Sequence, residues 1–185
     1  MELTLITHNV VEAGWTLQDF LTGRHWNVPT AEAVNFQEID WDWYYEFMDA
    51  MTCCMYANRA TSLSAPQVGV NKQIFLYDTG NPDPWDRKED EIQMNGEGHL
   101  INAHIMSYGG PVVSAYERCA SIPDHLFLIE RPAEVVVSGY YKSTCGLSQT
   151  SIHAGGYLAR VLQHEIEHMS GDCFTRQAKG VQGVR

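Results

Sequence analysis

The chain has 185 residues, a normal length for a single domain and enough to bury one good core. With 44% hydrophobic and 19% charged residues it reads as globular rather than disordered, and a net charge of −11 argues against binding nucleic acid or anionic lipid. It has no run of about twenty apolar residues and no basic-then-apolar start, so neither a transmembrane helix nor a signal peptide is expected.

Five cysteines (Cys53, Cys54, Cys119, Cys145 and Cys173) are an odd number without repeating spacing. Mostly free thiols in a reducing, cytoplasmic compartment are expected. Residues 1–51 are rich in acids with Arg24 as their base, which reads as a solvated face. The first forty residues show weak periodicity and read as mixed strand and loop. From Trp41 to Tyr56 the pattern turns helical: Tyr44, Met48, Met51 and Met55 form one stripe, and Asp40 is placed to cap it.

Ala60 to Gly69 follows, a loop of small residues that lets a ligand approach the backbone, with Gln67 offering an amide. Lys72 to Tyr77 reads as a strand, Asp78 to Gly98 as a long surface loop, and Leu100 to Met106 as a second strand. Gly109-Gly110-Pro111 reads as a turn before a third strand, Val112 to Cys119. Glu134 to Tyr141 is a fourth, with Gly146 to Ile152 as its return. The domain is expected to span 1–174, leaving a short basic, Gly-containing tail over 175–185 that frays.

Near the end stands Gln163-His164-Glu165-Ile166-Glu167-His168, which contains His-Glu-x-x-His. Leu158, Val161, Leu162 and Met169 recur at helical spacing, between Gly155-Gly156 and Gly171. On a helix the two imidazoles project from one face and suit a transition metal, with Glu165 beside them to handle the proton of a water on that metal. A third protein ligand is needed. The metzincin pattern would place a histidine where Phe174 stands. The third ligand therefore lies upstream, or is Asp172 or Cys173, which lie close to the motif.

Three ordered segments, Ala60 to Gly69, Glu117-Arg118-Cys119-Ala120-Ser121 and Gln163 to Gly171, resemble the peptide deformylase family. That family carries a Gly-x-Gly-Leu-Ala-Ala-x-Gln loop, a Glu-Gly-Cys-Leu-Ser strand and a Gln-His-Glu-x-Asp-His helix. The resemblance covers roughly residues 44–174. It implies an α+β fold, with antiparallel strands packed around a central C-terminal helix. It also implies that Cys119 joins His164 and His168 on one divalent metal, most often Fe2+, with Zn2+, Ni2+ or Co2+ able to substitute. Glu165 is then the general base, and the Gln67 amide and the Ala120 backbone N–H are the oxyanion donors. The implied activity is removal of the formyl group from N-formylmethionyl nascent peptides. Ser62, Leu63, Arg118, Tyr157 and Val161 are expected beside the substrate.

The chain departs from the family where Ala60 and Ser62 replace glycines, Ser64 an alanine, Arg118 a glycine and Ala120 a leucine. Ser62 and Ser64 are expected to narrow the substrate channel by bulk. Arg118 is expected to point away from the face shared by Glu117 and Cys119. After residue 174 no counterpart is expected of the C-terminal helix that docks many bacterial members on the ribosome; that would resemble the short forms carried by bacteriophages. The alternatives are a metalloprotease cutting internal peptide bonds, or a non-catalytic peptide-binding protein on the same fold.

Overall fold

A computed structural model of the chain describes residues 1–7, 29–80 and 96–183. Among these residues, helix α1 (Trp41–Ala57) precedes β1 (Ser62–Ser64), a 3-10 turn (Ala65–Val68) and β2 (Ile74–Asp78). Then come β3 (Glu97–Cys119), β4 (Ile122–Ser143), β5 (Gly146–Gly155), helix α2 (Gly156–Met169), a second 3-10 turn (Phe174–Gln177) and β6 (Gly180–Gly183). The strands form one antiparallel sheet in the order β1-β2-β3-β4-β5, with β6 pairing on β4.

The Asp40 carboxylate accepts from the backbone N–H groups of Asp42 and Trp43 at 2.9 and 3.3 Å, which starts α1 where the sequence places it. The buried stripe of α1 is Tyr44, Phe47, Met51, Cys54 and Met55, while Met48 stays half-buried. This stripe packs on Leu63, Ile74, Leu76 and Ile101, on one side of the sheet. On the other side, Leu158, Ala159, Val161, Leu162, Ile166 and Met169 of α2 pack on Phe75, Leu100, Ala103, Val135, Val137 and Ala154. Gly156 begins α2 at φ +56°, and Gly171 at φ +71° turns the chain out after it, so both sequence breaks fall where the backbone needs them. Helix α2 is thus buried nearly all round.

Two expectations change. Gly109-Gly110-Pro111 is not a turn between strands: β3 runs through it, and the register on β4 shifts between Gly109 and Val112. A β-bulge absorbs the segment, with Gly110 at φ +66° and proline where a ladder donor is dispensable. The tail does not fray over its described part, because β4 offers an open edge beyond β5. Strand β6 pairs there with His125 to Leu128, and Lys179 N–H donates to Leu128 O at 2.8 Å. Most of the expected loop from Asp78 to Gly98, and residues 8–28, lie outside the described residues. No helix among the described residues is long and apolar enough to cross a membrane.

Candidate metal centre and active site

Cys119 is the last residue of β3, and Ala120-Ser121 is the two-residue turn into β4. That hairpin end abuts α2, where His164 and His168 project one turn apart. The ligand atoms of Cys119, His164 and His168 all lie within 4.8 Å of one another. Cys119 Sγ is 3.4 Å from His168 Nε2, and the two Nε2 atoms are 3.0 Å apart. All three residues are buried. A thiol and two imidazoles converging in this way fit a single divalent transition metal. Glu165 beside them is 1% exposed, and its Oε2 has no hydrogen-bond partner among the described residues. An orphaned carboxylate oxygen there fits a water held at the same place.

The alternatives for the third ligand are engaged elsewhere. Cys173 Sγ lies 3.0 Å from Thr175 Oγ1, and Asp172 accepts from Arg176 at 2.9 Å. Phe174 is buried with its ring 4.5 Å from that of His164, so the metzincin position is a packing residue. Cys119→Ala is therefore expected to lose the metal and Cys173→Ala to keep it. Elemental analysis checks this, and a Cys119→Ala protein with a full equivalent of metal would overturn the assignment.

Behind the ligands lies a buried ionic network, in which arginines absent from the three motifs meet the motif residues Glu117 and Glu167. Glu117 Oε2 lies 3.3 Å from His164 Nδ1, so the carboxylate orients the imidazole from the side away from the cluster. Arg131 donates to Glu117 (2.6 and 3.0 Å) and to Glu167 (2.7 and 2.9 Å). Arg160 adds a bond to Glu117 Oε1 at 2.6 Å and also donates to Val113 O and Ile129 O. Burial pushes the Glu117 carboxyl up, but the Arg131 guanidinium outweighs it and holds the group well below the usual carboxylate range. Burial likewise disfavours a charged His164, yet Cys119 and Glu117 hold its proton well above the ordinary histidine range. A metal ion binds in competition with that proton. The Glu165 carboxyl is raised by burial, partly offset by His164, by the hydroxyls of Ser62 and Ser64, and by Arg131.

The small-residue loop supplies the opposite wall. Gln67 Oε1 accepts from Ser64 N–H at 2.9 Å and from Ser64 Oγ at 3.0 Å. This turns Gln67 Nε2 toward Ser121 Oγ (3.2 Å) and Cys119 Sγ (3.5 Å). Ser62 Oγ donates to Glu165 Oε1 at 2.6 Å. A cleft of about 110 Å³ lies between these groups, lined by Ser62, Gln67, Arg118, Cys119, Ala120, His164 and Glu165 among others. A second hollow of about 60 Å³ adjoins it, lined in part by Thr61, Ala115, Tyr157, Arg160, Val161 and His164. Thr61 Oγ1 and the Tyr157 hydroxyl are 2.8 Å apart.

Of the residues expected beside substrate, Ser62, Arg118, Tyr157 and Val161 line one or both hollows. Leu63 does not. It alternates with Ser62 and Ser64 along β1, so it faces the α1 core and is fully buried there. Arg118 borders both hollows at the point where the register on β4 shifts between Glu117 and Cys119, and it is half-buried between two buried neighbours.

The sequence matches the family model for polypeptide deformylase over residues 26–183. The peptide deformylase of Thermosynechococcus vestitus is 41% identical over 120 residues, which cover 65% of this chain and 57% of that protein. That of Picosynechococcus sp. is 40% identical over 121 residues, covering 65% and 58%. The match thus spans less than two thirds of the length of these relatives. Among solved structures, a peptide deformylase from Synechococcus elongatus in complex with actinonin superimposes with a TM-score of 0.71 at 31% identity, covering 96% of this chain and 81% of that one. The Met-Ala-Ser-bound class I type b enzyme from Acinetobacter baumannii gives 0.74 at 23% identity, covering 96% and 98%, and speaks for the fold.

Proposed function

The chain belongs to the peptide deformylase family, and on that premise we propose that it is a metal-dependent hydrolase acting on the N-formyl group of N-formylmethionyl nascent peptides. The observation that carries this reading is the convergence of Cys119, His164 and His168 beside Glu165, which has one buried oxygen without a partner among the described residues. A divalent ion held by those three residues, which we take to be Fe2+ with Zn2+, Ni2+ or Co2+ able to replace it, would supply Lewis-acid polarisation of the formyl carbonyl and a water acidic enough to ionise near neutral pH.

The chain's own residues do the rest. Glu165 takes the proton of the attacking water on Oε2 and returns it to the leaving amine, so formate and a free methionyl amine result. Gln67 Nε2 is oriented by its own carbonyl oxygen's two bonds to Ser64, and with the Ala120 N–H it donates to the oxyanion. One such donor is typically worth about 3 kcal/mol of barrier. The hollow under Tyr157 and Val161 takes the first side chain, and Arg118 borders the path of the chain beyond it. The cytoplasm is the expected compartment, consistent with five free cysteines, and the partner is the nascent chain emerging at the ribosome.

Protein loaded anaerobically with iron or nickel is expected to release formate from formyl-Met-Ala-Ser. The formyl substrate should react at least about tenfold faster than its acetyl analogue, since one small group in a shaped pocket is worth about 1–3 kcal/mol. Cleavage of an internal peptide bond without formate release would replace this reading by a protease. No turnover by fully metallated protein would replace it by a peptide-binding function.

A further inference from the structure

We propose that Ser62 and Ser64 are positioning residues, each using its hydroxyl to hold one oxygen of the two side chains that do the chemistry, Glu165 and Gln67. The inference rests on the deformylase reading of the site. It starts from a departure in the sequence: the loop that resembles the family's has serine where glycine and alanine stand there, and neither of those has a hydroxyl. The expected consequence was bulk. The structure gives these side chains a different use. Residues 62 and 64 share one face of β1, the face toward α2, while Leu63 enters the core behind.

Ser62 Oγ is 2.6 Å from Glu165 Oε1, the length of a charge-assisted O–H···O bond. Oε2 of the same carboxylate has no partner among the described residues. One oxygen is pinned and the other left for the proton of water. The last torsion of a glutamate is broad, so without the pin the plane of the carboxylate would rotate and its second oxygen would not keep one direction in the cleft. Ser64 does the same for Gln67: its hydroxyl (3.0 Å) and its N–H (2.9 Å) both point at Oε1, which fixes the nitrogen end toward Cys119 and Ser121. The two serines differ in how much they hold. Removing the Ser62 hydroxyl takes away the side-chain donor to Glu165 Oε1. Removing that of Ser64 leaves its backbone N–H in place.

The test uses full-length metallated protein, with metal content confirmed for every variant. In protein labelled with ¹³C-glutamate, the carboxylate band of Glu165 is identified by its disappearance in Glu165→Gln. This band is expected to shift in Ser62→Ala and to return in Ser62→Thr. An unmoved band overturns the proposal. In formate release, Ser62→Ala is expected to lower kcat about tenfold with KM within about twofold, Ser62→Thr to restore most of it, and Ser64→Ala to cost only about two- to threefold. A Ser62→Ala effect on KM alone would mean that the residue acts by filling the channel, and an unchanged Ser64→Ala would remove Ser64 from the pair. Wild-type protein that carries its metal yet releases no formate would defeat the deformylase reading, while the infrared band would still decide whether Ser62 holds Glu165.

Discussion

Glu165→Ala is expected to keep a full equivalent of metal and to lower formate release by about 10²–10⁴-fold, the usual worth of a positioned general base. The three ligand residues are untouched by the change, and the helix that carries two of them is held by a buried apolar face that does not include Glu165. What disappears is the carboxylate whose Oε2 has no partner among the described residues. If that oxygen takes up the proton only as the reaction proceeds, kcat and kcat/KM should fall together. Elemental analysis alongside steady-state kinetics reads both halves. Equal activity in variant and wild type would place the proton transfer elsewhere, and loss of metal would make Glu165 a part of the binding site rather than a base.

Arg131→Met is expected to destabilise the fold by about 3–5 kcal/mol, the cost of leaving a buried ion without its partner. The Arg131 side chain is 3% exposed and bridges Glu117, at 8%, to Glu167, at 20%. Taking away the guanidinium leaves Arg160 as the remaining arginine on Glu117 and none on Glu167 among the described residues. The loss should read as a lower midpoint in urea with an unchanged slope, and as weaker metal retention, since Glu117 also orients His164. A pH dependence follows. The folded Glu117 carboxyl titrates below its unfolded value of about 4.3, so its contribution is fully present above that value and lost as pH falls through the folded one. Wild type should therefore lose stability below about pH 4 more steeply than Glu117→Gln. Arg131→Met unfolding at the wild-type midpoint would show that the bridge contributes no net stability.

How much of this was legible in the residues depends on range. The helix α1 with its Asp40 cap, the helix α2 between glycines, and the two histidines on one face are all set by contacts three or four positions apart, and the sequence pattern displays them. Cys119 was reachable only through resemblance, because its spacing to the helix carries no periodic signal. The partners of Glu117, a residue of the second motif, stayed hidden for the same reason: its bonds to Arg131 and Arg160 cross 14 to 43 positions, and nothing in a lone arginine tells which acid it meets. Leu63 was expected beside the substrate because the segment was read as a loop. Once it is a strand, alternation sends Leu63 into the core and both serines to the face of Glu165 and Gln67. The bulge at Gly109-Gly110-Pro111 was read as a turn because glycine and proline mark both, and only pairing with β4 separates them.

The two-residue turn at the end of the β3–β4 hairpin also bears on how the site comes into being. Cys119 and His168 are 49 positions apart, whereas the two histidines are four apart. A helix of 14 residues is marginal in isolation, so α2 becomes firm only on docking against the finished sheet. Forming contacts over such long separations is the slow part of folding. Until it is complete the chain offers an ion at most two imidazoles on a fraying turn. Selective capture of one metal over another is thus a late event in biogenesis, governed by the folded architecture rather than by the first donors to leave the ribosome.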